Sequence, residues 1–182
     1  MIEPSNCEDC PPIIARLRDR RPVTLRSIRS NDLDAMQAAF SHLSWNARYA
    51  RFMAVTKELP RATLERAVHP MPGREVALVA ISGEGGNETI VGGARYGVAP
   101  DNASCEFAIT VADEWRGVGL ASRLMKELIR VARRHGLKRM EGYVLAENKP
   151  MLDLARRLGF EVTASQEGPR VKLVRLDLDA NH

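Results

Sequence analysis

Three short-period apolar runs followed directly by one long helical stripe dominate the middle of this sequence. REVALVAISG, TIVGGARYGV and SCEFAITVA are separated by GEGGN and APDNA. Alternation broken by turn residues predicts three successive strands in an antiparallel meander. From Gly117 the spacing lengthens, with Ala121, Leu124, Met125, Leu128 and Ala132 on one face and Arg123, Lys126, Arg130 and Arg134 outside it. That spacing predicts an amphipathic helix, with Gly136 as its stop.

The flanks extend the pattern. VTLRSI (residues 23–28) alternates as a strand, and SNDLDAMQAAF follows as a helix that starts around Asn31 and Asp34. SHLSWNARYARFM (41–53) reads as a second short helix carrying Trp45, Tyr49 and Phe52, and 57–69 as a third, ended by MPG. RMEGYVL is a strand, and AENKPMLDLARRLGF a helix with Pro150 in its first turn and Gly159 at its exit. EVTASQ and VKLVRLDL close the chain as strands around the EGP turn. The order is that of an α/β (α+β) fold. Residues 1–21, with RLRDRR, read as a flexible N-terminal arm, either solvated or touching an acidic partner, and 22–182 as a single domain.

Composition narrows the function. A chain of 182 residues with 45% apolar and 27% charged residues can build one folded core. Aromatics at 5% argue against a base-stacking platform, and no nucleic-acid partner is expected. The net charge of +4 fits either an ordinary basic surface or an anionic partner such as a polyphosphate cofactor. Cys7, Cys10 and Cys105 make no disulfide framework, and the CxxC of Cys7 and Cys10 has no second pair, so no metal is expected. The acidic start MIEPSNCEDCPP is not of signal type, and no run is long enough for a membrane; a cytoplasmic protein is expected.

The helix at Gly117 begins without an ordinary cap. Its first amides need partners, yet Trp115, Arg116 and Gly117 precede it. Either Asp113 caps an earlier start, or the amides are kept for a ligand. Gly117 and Gly119 would let an anion approach the backbone, Ala121 keeps the surface low, and Arg116 and Arg123 add charge. The stretch is neither a Walker A loop nor a dinucleotide fingerprint.

RGVGLA, residues 116–121, resembles the R/Q-x-x-G-x-G/A motif of the GCN5-related N-acetyltransferase (GNAT) family, and it follows CEFAITVADEW as that family's phosphate loop follows its central strand. YVLAENKPMLDLARRLGF, with Asn148 and the closing LGF, resembles the family's second cofactor-proximal motif. LSWNARYARF and GGARYGVAPDNASCEFAI are most similar to the acetyltransferase domain of bacterial protein-lysine acetyltransferases that carry an acyl-CoA synthetase-like portion. That long portion is lacking here, so the likeness is to a stand-alone relative.

The resemblance implies a mixed, mostly antiparallel sheet flanked by helices, with acetyl-CoA in a cleft where the family's fourth and fifth strands splay. It implies that the main chain of Ile109 and Val111 meets the pantetheine arm. Arg116, Gly117, Val118, Gly119, Leu120, Ala121 and Arg123 would hold the diphosphate, and Asn148 would approach the cofactor. Glu106, interrupting an apolar strand, matches a strand-four glutamate used as general base. The tyrosine that serves many relatives as general acid is replaced by Ala155. Trp45, Tyr49 and Phe52 are either core or the lining of a substrate groove.

The implied reaction is direct acetyl transfer to a primary amine, most of all a protein lysine, by a monomer or homodimer. A small-molecule amine acetyltransferase and a non-catalytic acyl-CoA-binding module are the alternatives. Cys105 neighbours Glu106 but should point to the opposite face and pack in the core.

Overall fold

The computed structural model describes residues 10–53 and 57–179. In chain order the elements are β1 (Ile13–Arg16), β2 (Pro22–Ser27), α1 (Leu33–His42), α2 (Trp45–Phe52), α3 (Arg61–Val68), β3 (Glu75–Ser82), β4 (Thr89–Val98), β5 (Ser104–Val111), α4 (Leu120–Arg134), β6 (Arg139–Leu145), α5 (Lys149–Arg157), β7 (Glu161–Ala164) and β8 (Val171–Asp177). Short 3₁₀ turns at Ser30–Asp32 and Asp113–Trp115 precede α1 and α4.

The eight strands make one sheet in the order β1-β2-β3-β4-β5-β6-β8-β7. β5 and β6 are parallel, and the other neighbouring pairs are antiparallel. The expected meander is β3, β4 and β5.

Helices cover both faces because β3 is apolar on both. Val76, Leu78 and Ala80 join the larger core with Leu120, Leu124, Met125 and Leu128 of α4 and Leu152 and Ala155 of α5. Val79 and Ile81, pointing the other way, meet Ala35, Met36 and Ala39 of α1. The approach of α4 to the sheet depends on Gly92, where a Cβ would lie 3.2 Å from Leu120, from Leu124 and from the Thr110 carbonyl.

Two sequence expectations change. Part of the supposed arm is a strand: Ile13–Arg16 pairs with β2, and Ala15 and Leu17 are buried in the larger core. Four residues alternating against the open edge of β2 suffice, because the edge supplies the hydrogen bonds. Residues 1–9, with Cys7, lie outside the described residues.

The second change is at the start of α1. The chain enters it through a 3₁₀ turn, and Asp32 serves the turn: it takes two hydrogen bonds from Arg26, at 2.7 and 2.8 Å, and one from the Arg29 amide at 2.7 Å. Burial works to raise the Asp32 carboxyl pKa, but the Arg26 and Arg29 bonds outweigh it and hold it below its ordinary value.

Among the described residues no helix is long and apolar enough to cross a membrane.

Candidate active site

The sheet opens on one side of β5. Its pairing with β6 runs only from Ser104↔Arg139 to Glu106↔Glu141, whereas β4 follows it to Val111 and β8 follows β6 to Leu145. Beyond Glu106 the two strands part, at the place the sequence implied.

Strand alternation decides which groups face the gap. Ala112 donates to Val91 and Ser104 accepts from Ala99, so the even-numbered residues of β5 bond β4. The main-chain groups of Phe107, Ile109 and Val111 therefore point into the opening, where they can bond an extended ligand.

The phosphate loop lies next to this gap in sequence. Gly117 and Gly119 have φ of +73° and +94°, which turns the chain into α4 without a side-chain cap. Among the described residues the amides of 117–122 donate to nothing, and the first to do so is Arg123, to the Gly119 carbonyl at 3.1 Å. Six amides in sequence lie at the positive end of a 15-residue helix, a place where backbone and dipole both suit an anion. A Cβ at Gly117 would meet no atom within 4 Å, so its surface is open. Leu120 is fully buried by its side chain, Val118 and Ala121 are half-buried, and Arg123 is exposed.

Asp113 is not the cap of α4. It takes hydrogen bonds from the amide and hydroxyl of Ser44, each 3.0 Å, and pairs with Arg116 at 3.2 Å. Desolvation opposes its ionisation, but the Ser44 bonds prevail and its pKa is lowered. Asn148 caps α5, its Oδ1 accepting from the Met151 amide at 3.3 Å.

Glu106 is exposed, on the face of the sheet opposite to α4. Directly across on β4 stands Gly97, above which a Cβ would meet nothing within 4 Å, so the carboxylate borders open space. Across on β6 stands Glu141, held by Arg139 at 2.9 Å and Arg175 at 2.8 Å. Arg95, two residues from Gly97 on the same face, pairs with Glu75 at 3.2 Å.

Arg51 of α2 completes the group, a residue the sequence did not single out. It feels the charges of both Arg95 and Glu106. Desolvation, with Arg95, holds its pKa below the ordinary value, and Glu106 opposes them.

The aromatic residues of α2 divide. Trp45 and Tyr49 stack with centroids 5.2 Å apart and planes 4° apart, and Trp45 is 59% exposed. Phe52 is turned into the helix contact, edge-on to Phe40 at 5.8 Å. Cys105 is buried, and burial pushes its thiol up to about 12, so no thiolate nucleophile is available there. Ala155 is fully buried in the core, so α5 presents no phenol at that position. Among the described residues no cluster could hold a metal ion.

An open strand edge beside uncapped amides on a helix, with a carboxylate at the mouth, defines an acyl-CoA-dependent acyltransferase architecture. Residues 40–160 match the model of the acetyltransferase (GNAT) family. Over 147 residues the chain is 35% identical to Acetyltransferase PA5475 of Pseudomonas aeruginosa, which covers 81% of this chain and 79% of that protein. It is 29% identical to the putative phosphinothricin acetyltransferase YwnH of Bacillus subtilis over 76% of this chain and 83% of that one. The GNAT domain of S. lividans PAT superposes with a TM-score of 0.83 at 25% identity, over 91% of this chain and 96% of that domain. The fold also matches yncA from Salmonella typhimurium, solved with its cofactor acetyl-CoA, at a TM-score of 0.69 and 23% identity, over 87% of this chain and 95% of that one. The chain belongs to the GNAT family. It is an acetyltransferase whose cofactor is acetyl-CoA, and the free amides and open strand edge fit that molecule.

Proposed function

We propose that this protein moves the acetyl group of acetyl-CoA directly to a primary amine, with Glu106 as general base and a protein lysine as acceptor. The observation that carries the reading is the exposed Glu106 carboxylate, bordering the open space over Gly97 where β5 and β6 part.

Acetyl-CoA supplies an activated thioester. The chain's own residues do the rest. The amides of 117–122, with Arg116 and Arg123, hold the diphosphate. The main chain of Ile109 and Val111 pairs with the pantetheine arm, and the Nδ2 amide of Asn148 donates towards the cofactor.

An ammonium has no lone pair, and a lysine with a pKa of about 10.4 is almost fully protonated at neutral pH. Glu106 accepts the surplus proton, directly or through one water, and frees the nitrogen to attack. With Ala155 in place of a tyrosine, α5 offers the departing thiolate no phenol, and the second proton, lost from the nitrogen as the amide forms, would pass to that thiolate directly or through water.

Exposed Trp45, stacked on Tyr49, gives a flat surface for a peptide beside the amine site, which supports a protein acceptor. Arg51 favours a second reading. A half-buried guanidinium beside Glu106 suits a small amine that also bears a carboxylate, such as an amino acid, and the name of the Bacillus relative points the same way.

A screen of amine-dependent release of coenzyme A, with intact-mass detection on folded proteins, tests the proposal. Acetylated protein with no free amino acid turned over supports the lysine acceptor. Turnover of free amino acids alone supports the second reading. Tight acetyl-CoA binding with no amine turned over contradicts both.

A further inference from the structure

The turn between β1 and β2 reaches the phosphate loop. Three contacts fix it there: the Arg18 amide donates to the Val118 carbonyl at 3.1 Å, Arg21 Nη2 donates to the Glu114 carbonyl at 2.9 Å, and the Arg21 guanidinium lies 3.7 Å over the Trp115 ring. The turn is itself tight, closed by Leu17–Arg21 and Arg20–Leu17 bonds of 3.0 Å, with Arg20 at a φ of +70°.

This places the Arg18 side chain over the helix entrance. A Cβ built on Gly119 would lie 3.7 Å from Arg18 Nε, 3.8 Å from its Cγ and 4.0 Å from its Cδ. Arg18 is exposed, and among the described residues its guanidinium makes no hydrogen bond or ion pair. Arg21 pairs with Asp19 and Arg116 with Asp113, whereas Arg18, like Arg123, has no such partner among the described residues. A cation above an anion-binding turn adds to the positive potential that draws an anion there.

We infer that Arg18 is a further ligand of the cofactor's phosphates, delivered by the β1–β2 hairpin, with Arg21 as the residue that positions the hairpin on the loop. The inference rests on the proposed role of the 117–122 amides. The guanidinium would add to the loop a charge-assisted contact with the diphosphate, one that a lysine matches only in part. The hairpin is thus part of the cofactor site.

Isothermal titration of coenzyme A, which contains the phosphates, and of pantetheine, which does not, tests this on parent, Arg18→Met and Arg18→Lys. Methionine keeps the apolar stem of an exposed residue, and thermal melting verifies the fold. The expected result is a weakening of about tenfold or more for coenzyme A with Arg18→Met, partial recovery with Arg18→Lys, and unchanged pantetheine binding. Unchanged coenzyme A affinity in a parent that binds it, or equal loss for both ligands, overturns the inference and leaves the proposed function standing. A parent that binds no coenzyme A overturns the reading of the loop as well.

Discussion

Asp113 and Ser44, 69 residues apart, are joined by two hydrogen bonds of 3.0 Å, so the turn before α4 and the start of α2 share one carboxylate. The Ser44 hydroxyl also accepts from the Ala47 amide at 3.2 Å, which caps α2. The aromatic helix and the cofactor loop are thereby held in register. Asp113→Ala strands the Ser44 amide at a site still open to water, and a loss of about 1 kcal/mol is expected. Urea denaturation with unchanged slope and a lower midpoint is the outcome that agrees.

Arg26 and Asp32 form a buried bidentate pair, and removing the carboxylate takes two charge-assisted hydrogen bonds from the guanidinium. Asp32→Ala should cost about 3–5 kcal/mol. The sign with pH follows from the lowered carboxyl pKa. The pair's contribution is complete above the ordinary value of 3.8 and is lost as pH falls through the lower folded value. The stability difference between parent and Asp32→Asn should be level at neutral pH and shrink only on strong acidification. A difference that grows as pH falls contradicts this.

Gly142 lies under the Phe107 ring just past the last β5–β6 pair. A Cβ there would sit 2.4 Å from the ring, which is itself edge-on to Phe160 at 5.5 Å. The ring is buried in the larger core. Gly142→Ala should lower stability by about 1–3 kcal/mol through overpacking. A melting temperature equal to the parent's would show that Phe107 packs elsewhere.

Glu106→Gln keeps the shape of the side chain and removes the base. Turnover should fall by about 10² to 10⁴-fold with acetyl-CoA affinity unchanged. Calorimetry beside steady-state kinetics separates the two. A parallel loss of affinity would make Glu106 a cofactor contact.

What was legible in the sequence follows from how locally each feature is determined. TIVGGARYGV and RMEGYVL coincide with β4 and β6, because alternation between two buried faces is written in neighbouring residues. The missing side-chain cap before α4 could be read for the same reason, although the helix begins at Leu120 and not at Gly117. β1 could not: IIAR is short and runs into RLRDRR, and its partner is the edge of β2, not anything in its own pattern. Arg18 against Gly119, the charge interaction of Arg51 with Glu106 and the bonds of Ser44 to Asp113 join distant segments, which no spacing rule foretells. Asp113 stood as the alternative cap for a definite reason. A carboxylate shortly before a helix looks like its cap, and here tertiary packing assigns it to another helix.

We propose that bare amides at the entrance of α4 grip the diphosphate of coenzyme A. Titrating coenzyme A into parent, Gly119→Glu and Gly136→Glu tests it most directly. Both glycines have positive φ, +94° and +73°, so both variants carry similar backbone strain, but Gly136 lies at the far end of the same helix. Saturable binding by parent and Gly136→Glu, with affinity lost in Gly119→Glu alone, is the predicted result. Equal affinity in all three, or no binding by the parent, would contradict it.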